Sequence, residues 1–358
     1  MNTSITIGGP GASTRPWAET VDYVCEAERL GVGQVWSAEA WGLDAVAPIA
    51  YLAARTHKIE LGVGVMQVSA RAPAMTAMTA LTLARISGGR FLLGLGTSGP
   101  QVVEGLHGVR FAKPLQRLRE TVEIVRLAAA GRPLEYQGEH YRLPLPDGEG
   151  KALRLAVEAR PDLRIYLATL APRALEYTGE AADGWLGTSF LPTRPDALLG
   201  PIARGAATAG RRMDEIDLGA GGVVAFGDDL EALARPLART LAFTLGAMGS
   251  PRTNFYNAAY RRAGYADEAE AVQRLWVAGR RDEAVAAVPT SMVTGTNLLG
   301  SESQVAARVR EYRDAGVRTL RLTPSGNTLD ERLETLARAV SIVAAVSAER
   351  SPSKTGRR

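Results

Sequence analysis

Residues 34–96 read QVWSAEAWGLDAVAPIAYLAARTHKIELGVGVMQVSARAPAMTAMTALTLARISGGRFLLGLG. Three short runs, Gln34–Ala38, Ile59–Met66 and Phe91–Gly96, stand between longer stretches of helical period. The runs are apolar enough for strands covered on both faces, as parallel strands are. The alternation continues outward. Ser4–Gly8 lies before the stretch, and Arg164–Thr169, Gly184–Thr188, Leu218–Phe226 and Thr319–Thr323 lie after it, only Leu218–Phe226 being less apolar. Trp17, Val21, Val24 and Cys25 fall at i, i+4, i+7 and i+8, and Leu118, Val122 and Val125 repeat that spacing within residues 114–129. Gly31 and Gly316 have the place of helix C-cap glycines, each directly before a strand.

Eight β-then-α units predict an α/β fold of the (β/α)8 TIM-barrel type. An open, doubly wound sheet is the rival. It announces itself with a Gly-rich turn after the first strand, and Gly8-Gly9-Pro10-Gly11 is Gly-rich but interrupted by Pro10. Two stretches break the alternation: residues 131–163 after the fourth strand and residues 242–297 before the eighth. Long excursions of this kind are functional lids or packing insertions. The expected organisation is one barrel domain over residues 1–348 and a basic, flexible tail over residues 349–358.

The 358 residues carry 42 Lys+Arg against 38 Asp+Glu, a net +4. Three of those positives, Lys354, Arg357 and Arg358, sit in the terminal SPSKTGRR with no acid, so the rest is near 4 − 3 = +1. No element clusters basic residues with aromatics between them, so no nucleic-acid partner is expected. With 46% hydrophobic and 22% charged residues the chain is globular. Cys25 is the sole cysteine, which excludes a disulfide scaffold and suits a reducing cytosol. No run approaches the roughly 18 consecutive apolar residues of a membrane span, and the N-terminus lacks a basic region followed by an apolar one. A cytoplasmic location follows as the expectation.

A barrel places its active site at the C-terminal ends of its strands. Here those ends are rich in Gly, Ser and Thr and poor in titratable groups, a composition suited to a cofactor held by amides and hydroxyls. His57, His107 and His140 lie far apart with no metal-ligand spacing, and neither GxSxG nor a P-loop occurs. His107, shortly after the fourth strand, can lean over the barrel mouth. Thr169-Leu170-Ala171-Pro172 is either a phosphate-binding turn backed by a helix N-terminus or an ordinary helix start. Gly62 and Gly64 inside a strand mark either a bulge with close ligand approach or tight packing. Glu39, two residues before Trp41, is either an acid/base group or half of a salt bridge.

Taken together, VWSAEAWGLDAVAPIAYLAARTHKIELGVGVMQ, SGGRFLLGLGTSGPQVVEGLHGVRFAKPLQRLRETVEIVR, EYQGEHYRLP and IYLATLAPRALEYTGEAADGWLGTSF resemble the bacterial luciferase-like superfamily, in its branch of coenzyme F420 (deazaflavin) reductases. The resemblance implies the barrel, with insertions after strand four and before strand eight, and a homodimer. It implies a non-prolyl cis peptide at Gly64–Val65 backing the deazaflavin ring. Gly96, Thr97 and Ser98 match a ring-contacting turn, Thr169, Leu170 and Ala171 the phosphate loop, and Thr188 joins them at the sixth strand end. Two departures stand out: Ala40 where sugar-phosphate dehydrogenating relatives have His, and Gly99 where they have Glu. Glu39, Glu104 and His107 are the remaining proton-transfer candidates. Trp41, Met66, Phe190 and the insertion around Asn254-Phe255-Tyr256 would line an apolar, aromatic substrate pocket. The implied activity is hydride transfer between the deazaflavin C5 and a moderately hydrophobic organic substrate. An FMN-dependent monooxygenase and a non-catalytic binding barrel are the alternatives.

Overall fold

The computed structural model describes residues 1–8, 15–250 and 252–349. The Gly9-Pro10-Gly11 part of the first turn and tail residues 350–358 lie outside them; Glu349 forms ion pairs with Arg310 and Arg313. Eight parallel strands form a closed barrel: β1 (Asn2–Gly8), β2 (Gln34–Ala38), β3 (Glu60–Gln67), β4 (Phe91–Gly96), β5 (Ile165–Ala168), β6 (Gly184–Leu186), β7 (Asp217–Phe226) and β8 (Thr319–Pro324). Neighbours pair in sequence order, and Asn2 opposite Thr319 closes the ring. All eight coincide with the runs read from sequence, and closure disposes of the open-sheet rival. A further parallel strand, Leu298–Gly300, lies along the end of β7 and was not expected.

The helices between strands bury most of the stripes that the spacing predicts. The helix Trp17–Arg29 buries Val21 and Val24 of its expected stripe, with Tyr23 and Ala27 beside them, and leaves Trp17 and Cys25 half-buried; Pro114–Ala129 buries Leu118, Val122 and Val125. Gly31 and Gly316 adopt φ of +87° and +96° just past helix ends, the left-handed cap that glycine tolerates best. The first insertion carries a small hairpin, Tyr136–Gln137 with Arg142–Leu143. The buried Glu120 carboxylate holds it by accepting from the amides of Glu139, His140 and Tyr141. The second insertion is helical and has its own apolar cluster, including Ala242, Leu245, Val272 and Met292.

Inside the barrel, polarity decides which end can bind. The N-terminal end is plugged: Asp217 accepts from Tyr166, Thr319 and Gln34, and Glu60 pairs with Arg164. Above the plug Trp36, Leu92, Tyr166 and Leu186 fill the middle, with Trp36 and Tyr166 edge-on at 5.0 Å. Glycine makes room for these rings. A Cβ on Gly62 would fall 2.2 Å from the Trp36 ring and one on Gly184 2.1 Å from the Tyr166 ring. Gly62 is thus the packing glycine of β3.

Candidate active site

Beyond that layer the inward side chains become small. Ile5, Ile7, Val35, Leu167, Ala220, Leu320 and Leu322 face the helices, so the alternation of strand side chains turns Thr6, Ala38, Ala168, Gly221 and Arg321 inward. On β3 the pairing with β4 shifts between Val63 and Met66, and the Gly64–Val65 peptide there is cis, where the resemblance put it. Beyond the first residue of β3, only Gly64 and Val65 are not fully buried. The bulge thus shares the C-terminal end of the barrel with small inward residues such as Ala38, Ala168 and Gly221. Gly96 abuts it from β4, since a Cβ there would meet Val65 Cγ2 at 2.7 Å.

Around the rim, Thr97, Ser98 and Thr188 are partly exposed. Ser98 and Ser189, beyond the ends of β4 and β6, hold φ of 56° and 54°. A left-handed backbone at a residue other than glycine is costly and gathers at binding sites. Thr169 behaves differently from Leu170 and Ala171. Its buried hydroxyl is shared with Thr178 Oγ1 at 2.7 Å and its carbonyl accepts from Trp185 Nε1. The side chain is therefore turned into the fold. Leu170 and Ala171 lead into the helix Pro172–Ala181, whose N-terminus carries a partial positive charge. Arg262, from the second insertion, donates from Nη2 to the Leu170 carbonyl at 2.6 Å and pairs with no carboxylate among the described residues. Loop, helix end and guanidinium together suit a phosphate. No local pattern singles out Arg262 in the sequence, because a chain separation of 92 residues divides it from the loop.

Glu39 is engaged on both oxygens. Arg71 grips it with two 2.7 Å bonds, and the amides of Gln67 and Ala45 donate at 3.3 Å. Burial pushes its pKa up, but the Arg71 contacts and the amides outweigh burial and hold it below the usual range. Of the readings left open for Glu39 the structure realises the salt bridge, and a carboxylate so held is a poor proton carrier. The Ala40 carbonyl can only accept, so Gln67 gives it Nε2–H at 3.1 Å and turns Oε1 toward His107. With the amide so oriented, His107 Nε2, 3.3 Å away, is the donor, and among the described residues Nδ1 has no hydrogen-bond partner. Glu104 is exposed and accepts from the Phe111 amide.

The expected pocket residues are placed less simply. Met66 and Phe190 are buried in the outer core, Phe190 against Trp185 and Tyr312, and neither lines the mouth. Outward alternation on β3 carries Met66 away from the barrel interior. Instead a cavity of about 700 Å3 opens from Thr6 and Thr323 at the mouth toward Trp17, Tyr23, Leu43 and Tyr51, with Arg15 and Arg332 on its wall. Trp41 is exposed and is not among the residues lining this cavity.

The sequence profile of the luciferase-like monooxygenases matches residues 1–319. The chain belongs to that family. A Mycobacterium tuberculosis relative of this luciferase-like barrel, provisionally named a coenzyme F420-dependent oxidoreductase, is 37% identical over 348 residues, 95% of this chain and 99% of the relative. The 5,10-methylenetetrahydromethanopterin reductase of Archaeoglobus fulgidus is 30% identical, covering 82% of this chain and 86% of that one. The solved coenzyme F420-dependent tetrahydromethanopterin reductase of Methanopyrus kandleri shares the fold with a TM-score of 0.78 at 23% identity, over 96% of this chain and 98% of that one. Among the described residues no helix is long and apolar enough to cross a membrane.

Proposed function

We propose that this barrel is a coenzyme F420-dependent oxidoreductase acting on a moderately hydrophobic organic substrate. The observation that carries the reading is the end-to-end similarity to the Mycobacterium tuberculosis relative, joined to a mouth whose residues fit such a cofactor. The β3 bulge and the small residues of β2, β4 and β5 would form the slot for a planar ring, and Leu170, Ala171 and Arg262 would hold its phosphate. When bound, the deazaflavin supplies or accepts hydride at C5.

The chain's own work is positioning and one proton transfer. Arg71 locks Glu39, Glu39 and Ala40 lock Gln67, and Gln67 fixes the tautomer of His107. His107 is the proton-transfer residue, Nδ1 being the free atom, and Glu39 is a positioning residue. Ser98, Thr97 and Thr188 would offer hydroxyls and amides to the cofactor. The Trp17, Leu43 and Tyr51 cavity takes the apolar part of the substrate. Titrating the purified protein with F420 and with FMN, followed by ligand fluorescence, tests the reading. Tight F420 binding with weak FMN binding is expected. The reverse order would make the barrel a flavin monooxygenase.

A further inference from the structure

Arg321, on β8, is a charged group that neither the proton-transfer relay nor the phosphate site uses. On β8, Leu320 and Leu322 face the helices, so Thr319, Arg321 and Thr323 share the inward face. Thr319 belongs to the plug through Asp217, and Thr323 lines the 700 Å3 cavity. Arg321 lies between them. Its side chain passes over Gly221 of β7 to Gly187, just beyond β6, donating from Nη1 to the Gly187 carbonyl at 2.9 Å and from Nη2 to the Gly221 carbonyl at 3.0 Å.

A guanidinium has five N–H donors and carries its charge at any ordinary pH. Two neutral carbonyls satisfy two donors and none of the charge. Among the described residues no carboxylate lies within ion-pairing distance of Arg321, whereas Arg71, Arg164 and Arg126 each have one; Arg90 also lacks one, but its guanidinium makes five hydrogen bonds, to four carbonyls and the Thr56 hydroxyl. The ionisable groups that bear on it are the phenols of Tyr256 and Tyr312, and the Tyr312 hydroxyl already donates to the Thr296 carbonyl. Arg321 is half-buried, and withdrawing a cation from water without a counter-ion is costly, a cost that an anion brought by a ligand would offset. Strand order puts β7, over which Arg321 lies, across the barrel from the β3 bulge. The guanidinium thus lies on the side of the barrel away from the bulge.

We propose that Arg321 is the recognition residue for an anionic oxygen of the substrate, a carboxylate whose apolar body occupies the cavity beginning at Thr323. The inference rests on the functional reading above for which side of the barrel remains open. It narrows the substrate class from moderately hydrophobic molecules to hydrophobic carboxylic acids.

The test is a binding titration, with and without saturating F420, of benzoate, cinnamate and 4-phenylbutyrate, each beside its alcohol. Tryptophan fluorescence reads binding. In the unaltered protein at least one acid should bind about tenfold or more tighter than its alcohol, the worth of a charge-assisted contact. Arg321→Met should abolish that preference, Arg321→Lys should keep part of it, and both should leave F420 affinity within about twofold, since the proposal gives the guanidinium to the substrate and not to the cofactor. Acids binding no tighter than alcohols in the unaltered protein overturn the proposal, whether or not any variant folds. So does an Arg321→Met protein that keeps the preference, or one that loses F420 affinity in step with it, since the guanidinium would then serve the cofactor. Failure of F420 to bind at all sinks the functional reading alone, because the acid preference is also read without cofactor.

Discussion

Replacing Arg71 by Met removes both donors of a two-pronged grip and leaves Glu39 facing two amides at 3.3 Å. The Glu39 side chain is 9% exposed and that of Arg71 21%. Each charge-assisted bond contributes about 1.5–3 kcal/mol net, and breaking a buried pair costs about 3–5 kcal/mol because the surviving charge is stranded. The partial exposure of Arg71 places the expected loss at the low end, about 3 kcal/mol, or roughly a 150-fold shift in the folding equilibrium. Equilibrium unfolding in urea of the unaltered protein, Arg71→Met, Glu39→Gln and the double variant measures it. The double variant should be less damaged than the sum of the singles, by about 2 kcal/mol of coupling. Acid should erase the difference. The folded pKa of Glu39 is depressed, so its contribution is full above the unfolded carboxylate range and is lost as pH falls through the lowered folded value. The advantage of the unaltered protein over Glu39→Gln should therefore shrink below about pH 4. An Arg71→Met cost under about 1 kcal/mol, or simple additivity, would show a surface pair of the weak kind and refute the reasoning.

Other expectations concern the mouth. Gly96→Ala places a methyl 2.7 Å from Val65 Cγ2, so the bulge must shift; a stability loss of about 1–3 kcal/mol and weaker F420 binding should appear together in melting and titration experiments. Arg262→Met should weaken F420 by about tenfold or more yet leave unchanged the affinity of the phosphate-free deazaflavin, and equal losses for both would remove Arg262 from the phosphate site. His107→Ala should lower kcat by about 10²-fold with F420 affinity kept, whereas a drop confined to KM would make His107 a substrate contact only.

The departures from expectation have a common physical origin. Met66 and Phe190 are apolar and lie close in sequence to the mouth, yet β3 turns Met66 outward and Phe190 packs on Trp185 and Tyr312. Glu39 sits at a strand end as a catalytic acid would, and only the approach of Arg71, 32 residues on, turns it into a structural anion. Arg321 was within reach of the sequence: in TLRLTP the leucines alternate, so the arginine must share the opposite face. Which face was inward depended on the barrel.

Local periodicity is short-ranged, so the chain alone determined the eight strands, the helices that separate them, the cap glycines and the positions of both insertions. The two glycines of β3 were legible as either a bulge or tight packing, and the resemblance, not the local pattern, pointed to Gly64–Val65; Gly62 proved to be the packing glycine and Gly64 part of the bulge. What only the tertiary structure decided is how distant charges meet. Arg71 reaches Glu39, Arg262 reaches Leu170 and Arg321 crosses to Gly187 because barrel closure brings separate strand ends and an insertion to one rim. A guanidinium's role depends on whether a carboxylate lies near it in space, and spacing along the chain carries no record of that.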